Sequence, residues 1–393
     1  MTRRDCDIAL VGGGLAGGLA ALALARLRPD LAVRLIEGGP SLGGNHRWSW
    51  FASDLTAEGA ALMGVFPAAR WGDGYEVEFP LHRRHLPTAY HSLASADFAA
   101  TLGRELPPGS ILTGRPAASL DAGGVTLADG ERIAARAVVD GRGFVPTGRL
   151  AGGWQVFLGR HLRLESGHGL TRPIIMDASV AQEDGYRFVY VLPLAADELF
   201  VEDTYYQDAP DLDRAALSAR IDAWCAARGW RGATMAEETG VLPLVTGGDF
   251  AGWQEEARVA GVGRIGVRGG FFHPLTSYSL PFAVRTALAI AGQADLPGAE
   301  LAAMLERQAR DHWRATSFYR LLGAMLFGAA APPERYRVFE RFYRLPAPLI
   351  ERFYAANSTP ADRARTLCGR PPVPIYAAMR ALIAPRPRLK ETA

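Results

Sequence analysis

The chain has 393 residues, of which 49% are hydrophobic and 21% charged, and its formal net charge is +2. This is the composition of an ordinary globular protein, long enough for a large core and for two closely joined domains. The nearly neutral charge gives no reason to expect a nucleic-acid partner. No apolar run approaches the roughly 18 residues of a spanning helix, so we expect any membrane contact to be peripheral.

The cysteines and the amino terminus both indicate a cytoplasmic protein. Cys6, Cys225 and Cys368 lie far apart and match no disulfide, redox or metal-ligand spacing. The first apolar run follows residues 1–4 directly, which leaves no room for a signal peptide. We therefore expect a reduced, cytoplasmic protein without a metal site, and nothing in the sequence predicts an obligate protein partner.

The first apolar run leads into a dinucleotide-binding pattern. Residues 7–11 predict a strand, Gly12, Gly14 and Gly17 follow, and residues 18–26 predict a helix. In the dinucleotide fingerprint the first glycine makes the turn, the second admits a pyrophosphate, and the third lets the helix pack against the strand. The alternative is a glycine-rich turn that binds nothing.

A second predicted strand, 32–36, ends in Glu37, about twenty residues past the fingerprint, where an acid binds a ribose hydroxyl. Gly43 and Gly44 follow soon afterwards. A second glycine pair at this place indicates an extended dinucleotide such as FAD, because backbone must run beside its middle. A flexible surface loop over residues 38–50 is the alternative.

Two later segments are predicted to return to the nucleotide-binding sheet. Residues 135–139 form an apolar strand that ends in glycines. Residues 264–268 predict another strand that runs into a glycine turn at Gly269, followed by a helix over 281–293. This arrangement would bring a second helix N-terminus near the cofactor.

A second, mostly antiparallel sheet is predicted between these segments, from strands at 154–158, 186–192 and 199–206, with a helix over 215–228. A further helix is predicted over 96–105. The fold class expected is α/β: a Rossmann-like FAD-binding domain, an inserted antiparallel-sheet substrate domain and a helical carboxyl-terminal region. The expected boundaries are 1–74, 130–150 and 255–300 for the discontinuous FAD-binding domain, 75–129 and 151–254 for the β-rich substrate domain, and 301–393 for the helical region.

The helical region mixes arginines closely with aromatic residues, as in Phe318-Tyr319-Arg320 and Arg341-Phe342-Tyr343-Arg344. Helices that pack aromatic rings inward and arginines outward would explain this composition. The alternative is a surface that rests on lipid headgroups, with aromatic rings and an apolar stretch such as 321–327 dipping into the interface.

Three residues are candidates for catalysis. Glu202 and Asp203 are adjacent acids within an apolar strand, and strand alternation points them to opposite faces. Whichever faces a dry pocket would have a raised pKa and could act as a general acid, although a structural acid fits the same pattern. His273 lies at the mouth of the predicted cofactor turn, where it could face a ligand or cap the turn.

Several long runs of the sequence resemble the bacterial lycopene β-cyclases, and the resemblance extends nearly from end to end. These runs are more specific than the glycine fingerprint alone. They include residues 12–19 (GGGLAGGL), 43–46 (GGNH), 168–178 (HGLTRPIIMDA), 201–206 (VEDTYY), 273–281 (HPLTSYSLP) and 358–363 (STPADR).

The resemblance implies an enzyme that converts the ψ end groups of lycopene into β-ionone rings, giving β-carotene by way of γ-carotene. The reaction has no net redox change, yet it requires reduced FAD, for which NAD(P)H is the implied electron donor. In the family the acid of the Glu-Asp-Thr motif is essential, which corresponds to Glu202. Ser277 stands where relatives commonly have glycine, and the segment 266–269 lacks a Gly-Asp pair, so we expect mostly backbone contacts to the flavin there.

Cyclisation would begin with a proton from Glu202 to C2 of the substrate, while the base that removes the C6 proton stays open among His273, Asp203 and the flavin. Two other functions remain open. The same architecture serves flavin-dependent monooxygenases and desaturases of apolar substrates. A non-catalytic flavin- or carotenoid-binding protein is the other alternative.

Overall fold

The computed structural model describes residues 4–183, 185–369 and 372–390. The predicted domains also include residues that lie outside the described ones, namely 1–3, 184, 370–371 and 391–393. The strands are β1 (Cys6–Val11), β2 (Val33–Ile36), β3 (Arg47–Phe51), β4 (Ala69–Trp71), β5 (Tyr75–Phe79), β6 (His82–Leu86), β7 (Tyr90–Ala94), β8 (Ile111–Leu112), β9 (Ala117–Asp121), β10 (Gly124–Leu127), β11 (Arg132–Asp140), β12 (Leu150–Leu164), β13 (Ile174–Asp177), β14 (Tyr186–Pro193), β15 (Glu198–Gln207), β16 (Gly232–Gly248) and β17 (Val262–Arg264).

The helices confirm three sequence predictions to within two residues, namely those over 96–105, 215–228 and 281–293. They also confirm the helical character of the carboxyl-terminal region. The helices are α1 (Leu15–Leu27), α2 (Ala57–Met63), α3 (Ser95–Glu105), α4 (Arg214–Ala226), α5 (Phe250–Glu256), α6 (Gly266–Gly269), α7 (Leu280–Gly292), α8 (Gly298–Ala315), α9 (Ser317–Ala329), α10 (Tyr336–Phe342), α11 (Ala347–Tyr354), α12 (Pro360–Leu367) and α13 (Ile375–Ile383).

The first sheet has the order β8-β2-β1-β11-β10-β9, with β17 paired to β11. The strands β8, β2, β1, β11 and β17 are parallel, as expected for a doubly wound nucleotide-binding sheet. Their side chains Ile8, Leu10, Leu35 and Val139 are fully buried in a core that α1, α3 and α7 cover. The predicted Rossmann-like domain is therefore present.

The second sheet has the order β16-β12-β15-β14-β13-β5-β6 and is antiparallel except for the pair β13 and β5. Its long strands pair in a continuous register, since β12 lies between β15 and β16 over most of its length. A third, three-stranded sheet has the order β3-β7-β4. The second sheet corresponds to the predicted inserted antiparallel sheet.

The predicted division of residues 75–129 differs from the observed packing. Only β5 and β6 of this segment join the second sheet, whereas β8, β9 and β10 belong to the first. The short connection between β10 and β11 makes them a local hairpin, and Phe98 of α3 packs so closely on α1 that a Cβ atom at Gly18 would lie 2.4 Å from its ring. Residues 95–127 therefore belong with the nucleotide-binding sheet.

The strand predicted over 264–268 also ends earlier than expected. β17 stops at Arg264, and α6 begins at Gly266, where the backbone adopts a φ of 57°. This left-handed conformation favours glycine and turns the chain out of the sheet. The glycines that follow therefore lie on a helical turn rather than on a strand.

The aromatic residues of the carboxyl-terminal helices mostly point inward. Phe318, Tyr319, Phe339, Phe342 and Phe353 are buried in one cluster that also contacts the second sheet. This confirms the packing explanation of their sequence pattern. The apolar stretch 321–327 lies on α9, which packs against α13: a Cβ atom at Gly328 would lie 2.6 Å from that of Ala381.

Candidate active site

One cavity of about 740 Å³ lies between the glycine loops of the first sheet and one face of the second. Residues that are far apart in sequence meet there. Those from the loops include Gly12, Gly14, Glu37, Gly43, Gly44, Gly141, Gly143, Gly266 and Val267, and those from the second sheet include Gln155, Phe157, Phe188, Tyr190, Glu202, Tyr206, Glu238 and Leu242.

The fingerprint glycines have three different local roles. Gly12 has a φ of 100°, and a Cβ atom there would lie 2.8 Å from the backbone of Gly141. A Cβ atom at Gly17 would lie 2.0 Å from the carbonyl oxygen of Gly12, so Gly17 allows the first turn of α1 to pack on the loop. A Cβ atom at Gly14 would meet nothing within 4 Å. Gly14 therefore keeps the entrance to the helix N-terminus open, where free N–H groups favour an anion.

Glu37 connects the fingerprint to the loop that follows β2. Its Oε2 atom accepts a hydrogen bond of 2.7 Å from the backbone N–H of Gly13, and its Oε1 atom accepts one of 2.7 Å from Gly39. Gly43 and Gly44, with φ values of 79° and 64°, continue this wall of the cavity. The predicted ribose acid and second glycine pair thus lie at the same end of the cavity as the fingerprint.

Gly269, predicted to contact the cofactor, does not line this cavity, and Gly266 and Val267 occupy the corresponding wall. A Cβ atom at Gly269 would lie 2.8 Å from the ring of Phe271, so this glycine serves the packing of α6. The shift follows from the early end of β17. The cavity wall expected at Gly269 is therefore formed by Gly266, three residues earlier in the chain.

Strand alternation separates Glu202 from Asp203. Glu202 faces the cavity together with Tyr206 on the same strand, and its Oε1 atom accepts a hydrogen bond of 2.5 Å from the hydroxyl of Thr204. Only 9% of Glu202 is exposed. Burial, with a smaller contribution from the Glu238 carboxyl, raises the pKa of Glu202 to about 8. The side chain is therefore a protonated acid at neutral pH.

Asp203 lies on the opposite face of the sheet, beneath α4, and is fully buried. Its Oδ1 atom accepts a hydrogen bond of 2.8 Å from Nε of Arg187, which forms a buried ion pair. Burial raises the pKa of Asp203, and the Arg187 charge opposes this. The structure thus gives Asp203 an ion-pair environment away from the cavity, because side chains alternate along β15.

His273 is fully buried and does not line the cavity. Its ring packs against Tyr319 and Phe353, with centroid separations of 4.5 and 5.3 Å. Burial lowers the pKa of His273 to about 3, so the ring is neutral. The N–H of His273 donates a hydrogen bond of 2.8 Å to the carbonyl oxygen of Tyr278, which closes the turn that follows His273. This turn directs residues 276–279, rather than the His273 ring, toward the cavity.

The sequence matches known proteins over almost its whole length. Residues 7–380 match the family model described as lycopene cyclase protein. The chain is 45% identical to the lycopene beta-cyclase of Pseudescherichia vulneris over 96% of this chain and 97% of the relative. It is also 45% identical to the lycopene beta-cyclase of Paracoccus sp. (strain N81106 / MBIC 01143) over 98% and 99%. This chain belongs to the lycopene cyclase family.

Solved structures relate this lycopene cyclase family member to flavoenzymes at the level of fold. A flavin-dependent halogenase from Xanthomonas campestris superposes with a TM-score of 0.57 and 14% identity, covering 98% of this chain and 100% of the halogenase. At this identity the likeness concerns the fold alone. It confirms the predicted Rossmann-like, α/β architecture with an inserted sheet.

Sequence reasoning missed several residues of the cavity in this lycopene cyclase family member. Gly141 and Gly143 follow a predicted strand, so the glycines themselves were a usable signal. No sequence signal marked Arg47 or Glu238 as a cavity residue, because each is a charged residue whose position in the cavity depends on pairing between distant strands. Burial raises the pKa of Glu238 to about 7, while the positive charge of Arg47 opposes the shift.

Ser277, where the resemblance implied a departure from glycine, has a φ of 54° in the cavity wall. Its hydroxyl donates a hydrogen bond to the carbonyl oxygen of Pro243. This bond offsets part of the cost of a left-handed conformation for a residue with a side chain. The loop therefore keeps a glycine-like backbone without a glycine.

Among the described residues, no group of three or more histidine, cysteine, aspartate or glutamate side chains is placed to hold a metal ion. No described helix is long and apolar enough to cross a bilayer.

Proposed function

We propose that this protein is a lycopene β-cyclase that closes β-ionone rings on the ψ end groups of lycopene by acid catalysis. One observation carries the proposal: a buried glutamic acid, Glu202, faces a cavity whose opposite wall is a dinucleotide-binding loop system. Family membership supplies the substrate class, because the relatives are lycopene β-cyclases.

FAD fits the loop end of the cavity. Gly14 leaves open space before the N-terminus of α1, and Glu37 borders the same wall. The residues that would hold the dinucleotide are Gly12, Gly14, Glu37, Gly43 and Gly44, with Gly17 supporting the loop. When bound and reduced by NAD(P)H, the flavin would supply negative charge close to the substrate, which explains a redox cofactor in a reaction without net redox change.

Glu202 performs the first chemical step. Its carboxyl proton is transferred to C2 of the ψ end, which leaves positive charge at C1. The C5=C6 double bond then attacks C1, so that the ring closes and the charge moves to C5. An alkene is a weak base, and the transfer therefore requires a carboxyl group that is protonated at neutral pH and shielded from water.

Aromatic side chains on the same sheet face line the path of the developing cation. Phe157, Phe188, Tyr190 and Tyr206 all border the cavity. An aromatic face stabilises a desolvated cation by about 0.5–2 kcal/mol. Together these side chains exclude water, which would otherwise trap the cation as an alcohol.

Peripheral attachment to the cytoplasmic face of a membrane would give access to an apolar carotene. The support is α13, where Ile375, Tyr376, Met379 and Ile383 are 66%, 75%, 65% and 86% exposed. They share one helix face, while Arg380 lies exposed beside them.

A second cavity, of about 270 Å³, lies beneath α13 and has a mostly apolar lining that includes Leu326, Phe342 and Met379. Tyr354 borders both this cavity and the larger one. We infer that the polyene enters from the lipid surface along this side.

Expression in lycopene-accumulating bacteria, with pigment analysis, tests the function. The wild-type chain should convert lycopene into γ- and β-carotene, whereas Glu202→Gln should lower conversion by about 10²–10⁴-fold while retaining flavin. Glu198→Gln, on the same strand but paired with Arg163 at the surface, is the matched control and should remain active.

The pigments also separate the competing functions. Oxygenated products would indicate a monooxygenase, and products with additional double bonds a desaturase. Bound but unconverted lycopene would indicate a carotenoid-binding protein. Any of these, or full activity of Glu202→Gln, would contradict the proposal.

A further inference from the structure

The cavity contains a second buried carboxylic acid, Glu238, which is 9% exposed. The strand register places it in one row with Glu202. Gly159 of β12 pairs with Glu202 on one side and with Glu238 on the other, and Tyr190 pairs with Glu202 beyond that. Residues that pair directly across strands share a face of the sheet, so both acids point into the same cavity.

Gly159 separates the two acids without a side chain of its own. Neighbouring strands lie about 4.8 Å apart, so the Cα atoms of Glu202 and Glu238 are on the order of 10 Å apart. A Cβ atom at Gly159 would lie 3.2 Å from Cγ of Glu238 and 2.3 Å from the ring of Phe200. The ring of Phe200 therefore fills the space above Gly159, which is possible only because residue 159 has no side chain.

The surroundings of the two acids differ in charge. Glu202 is influenced by the acids Glu238 and Asp203 and by the hydroxyl of Thr204, with no cation contributing. Glu238 is buried to a similar degree but lies near the half-buried side chain of Arg47, whose positive charge favours the carboxylate form. Burial raises the pKa of both acids, and the Arg47 charge makes Glu238 the easier of the two to ionise, as a division into acid and base requires.

We propose that Glu238 is a second catalytic carboxylate of the cyclase, which accepts the proton that leaves C6 after Glu202 has protonated C2. Arg47 is the positioning residue, because its positive charge favours the carboxylate form of Glu238. The proposal rests on the proposed cyclase function. It also names a base within the cavity, where neither Asp203 nor His273 lies.

The step conserves atoms and electrons. The O–H bond of Glu202 breaks and a C2–H bond forms, the π electrons of C5=C6 form the C1–C6 bond, and C5 becomes cationic. The C6–H bond then breaks, its electron pair forms the ring double bond between C5 and C6, and the proton goes to Glu238. A proton transfer from Glu238 to Glu202 restores both groups, so no proton is consumed overall.

Glu238→Gln and Glu238→Asp, each assayed as the flavin-loaded enzyme with lycopene, test this assignment against wild type. Glu238→Gln should retain flavin, as judged by absorbance, and lose about a hundredfold or more of β-ring formation. A cation without its base can also lose a proton from C4 or from the methyl group on C5, so we expect ring isomers among the residual products. Glu238→Asp keeps a carboxylate and should recover about tenfold over Glu238→Gln.

The matched control is Glu237→Gln, because Glu237 points away from the cavity and pairs with Arg160 and Arg214. It should retain wild-type rate and products. The proposal is overturned if Glu238→Gln stays within about threefold of wild type, or if Glu238→Asp is no better than Glu238→Gln, as a merely structural acid would give. A wild-type enzyme that forms no ring would instead overturn the proposed function itself.

Discussion

The Glu202 carboxyl group combines two properties that are rarely found together at neutral pH. It keeps its proton because burial disfavours the charged form, and it still faces a cavity where that proton can be used. Thr204 donates a hydrogen bond to it and so fixes the side chain, which favours the ionised form slightly without offsetting burial. The result is a positioned general acid.

The raised pKa of Glu202 predicts how stability depends on pH. Between its ordinary pKa of 4.5 and the folded value of about 8, the folded protein holds a proton that the unfolded chain has released. Stability therefore falls as pH rises through this window. Glu202→Gln lacks this penalty, so its melting temperature relative to wild type should be higher at pH 9 than at pH 5.

Thermal unfolding of both proteins at the two pH values measures this difference. Glu198→Gln is the control, because Glu198 is ion-paired at the surface and its pKa is lowered. An unchanged difference between Glu202→Gln and wild type at pH 5 and pH 9 would show that Glu202 is ionised in the folded protein at both.

Residue-level prediction succeeded where a local rule was sufficient. Alternation along a strand predicted that Glu202 and Asp203 would face opposite sides, and they do. It could not show which acid faces the cavity, because that depends on where α4 packs. His273 follows the cofactor turn in sequence, yet its ring points into an aromatic cluster, since a hydrogen-bonded turn redirects the chain.

At the scale of elements, the turn between β1 and α1 predicts different effects for alanine substitutions at two glycines, Gly14 and Gly17. Gly17→Ala would place a methyl group against the Gly12 carbonyl and disrupt the loop. Gly14→Ala meets no protein atom and has an extended backbone that alanine tolerates, so the protein should fold normally. Its added methyl group would instead occupy space at the helix N-terminus and weaken flavin binding.

Flavin titration and thermal unfolding of the apoprotein distinguish the two variants. We expect the apoprotein of Gly14→Ala to melt close to wild type with weaker FAD affinity, and that of Gly17→Ala to melt lower. Equal losses of apoprotein stability in the two variants would contradict the different roles assigned to these glycines.

The helix α13 predicts lipid binding. Replacing the exposed residues Ile375 and Ile383 with aspartate should reduce co-flotation with anionic liposomes, because the change removes apolar area and adds negative charge. Leu27→Asp, at the exposed end of α1, is the control and should float like wild type. Wild-type protein that does not float, or a double variant that floats equally well, would contradict lipid contact through α13.

Elements with a strong local pattern were predictable, and their pairing was not. The predicted bounds of α3, α4 and α7 agree with the structure to within two residues. The parallel pair of β5 with β13 joins segments about a hundred residues apart, and no periodicity in either strand indicates the partner. For the same reason, the predicted division assigned residues 95–127 to the substrate domain, although they belong with the nucleotide-binding sheet.

At the scale of the whole molecule, the cavity results from packing one face of the second sheet against the loops of the first. Arg47, Glu202, Glu238 and Ser277 lie close together only because β3, β15, β16 and the loop after α6 converge there. The sequence predicted both walls, one through the glycine fingerprint and one through the Glu202 strand. Only the structure shows that these two walls enclose one cavity and that Glu238 lies in it together with Glu202.

Cyclisation by purified enzyme in D₂O under anaerobic conditions tests the central claim, that Glu202 donates a proton in a reaction without net redox change. With reduced FAD, we expect the product to carry one deuterium at C2 for each ring closed, detected by mass spectrometry and NMR, with no NAD(P)H oxidised per turnover. Glu202→Gln should give no labelled ring. Rings without deuterium at C2, or stoichiometric oxidation of NAD(P)H, would contradict the account.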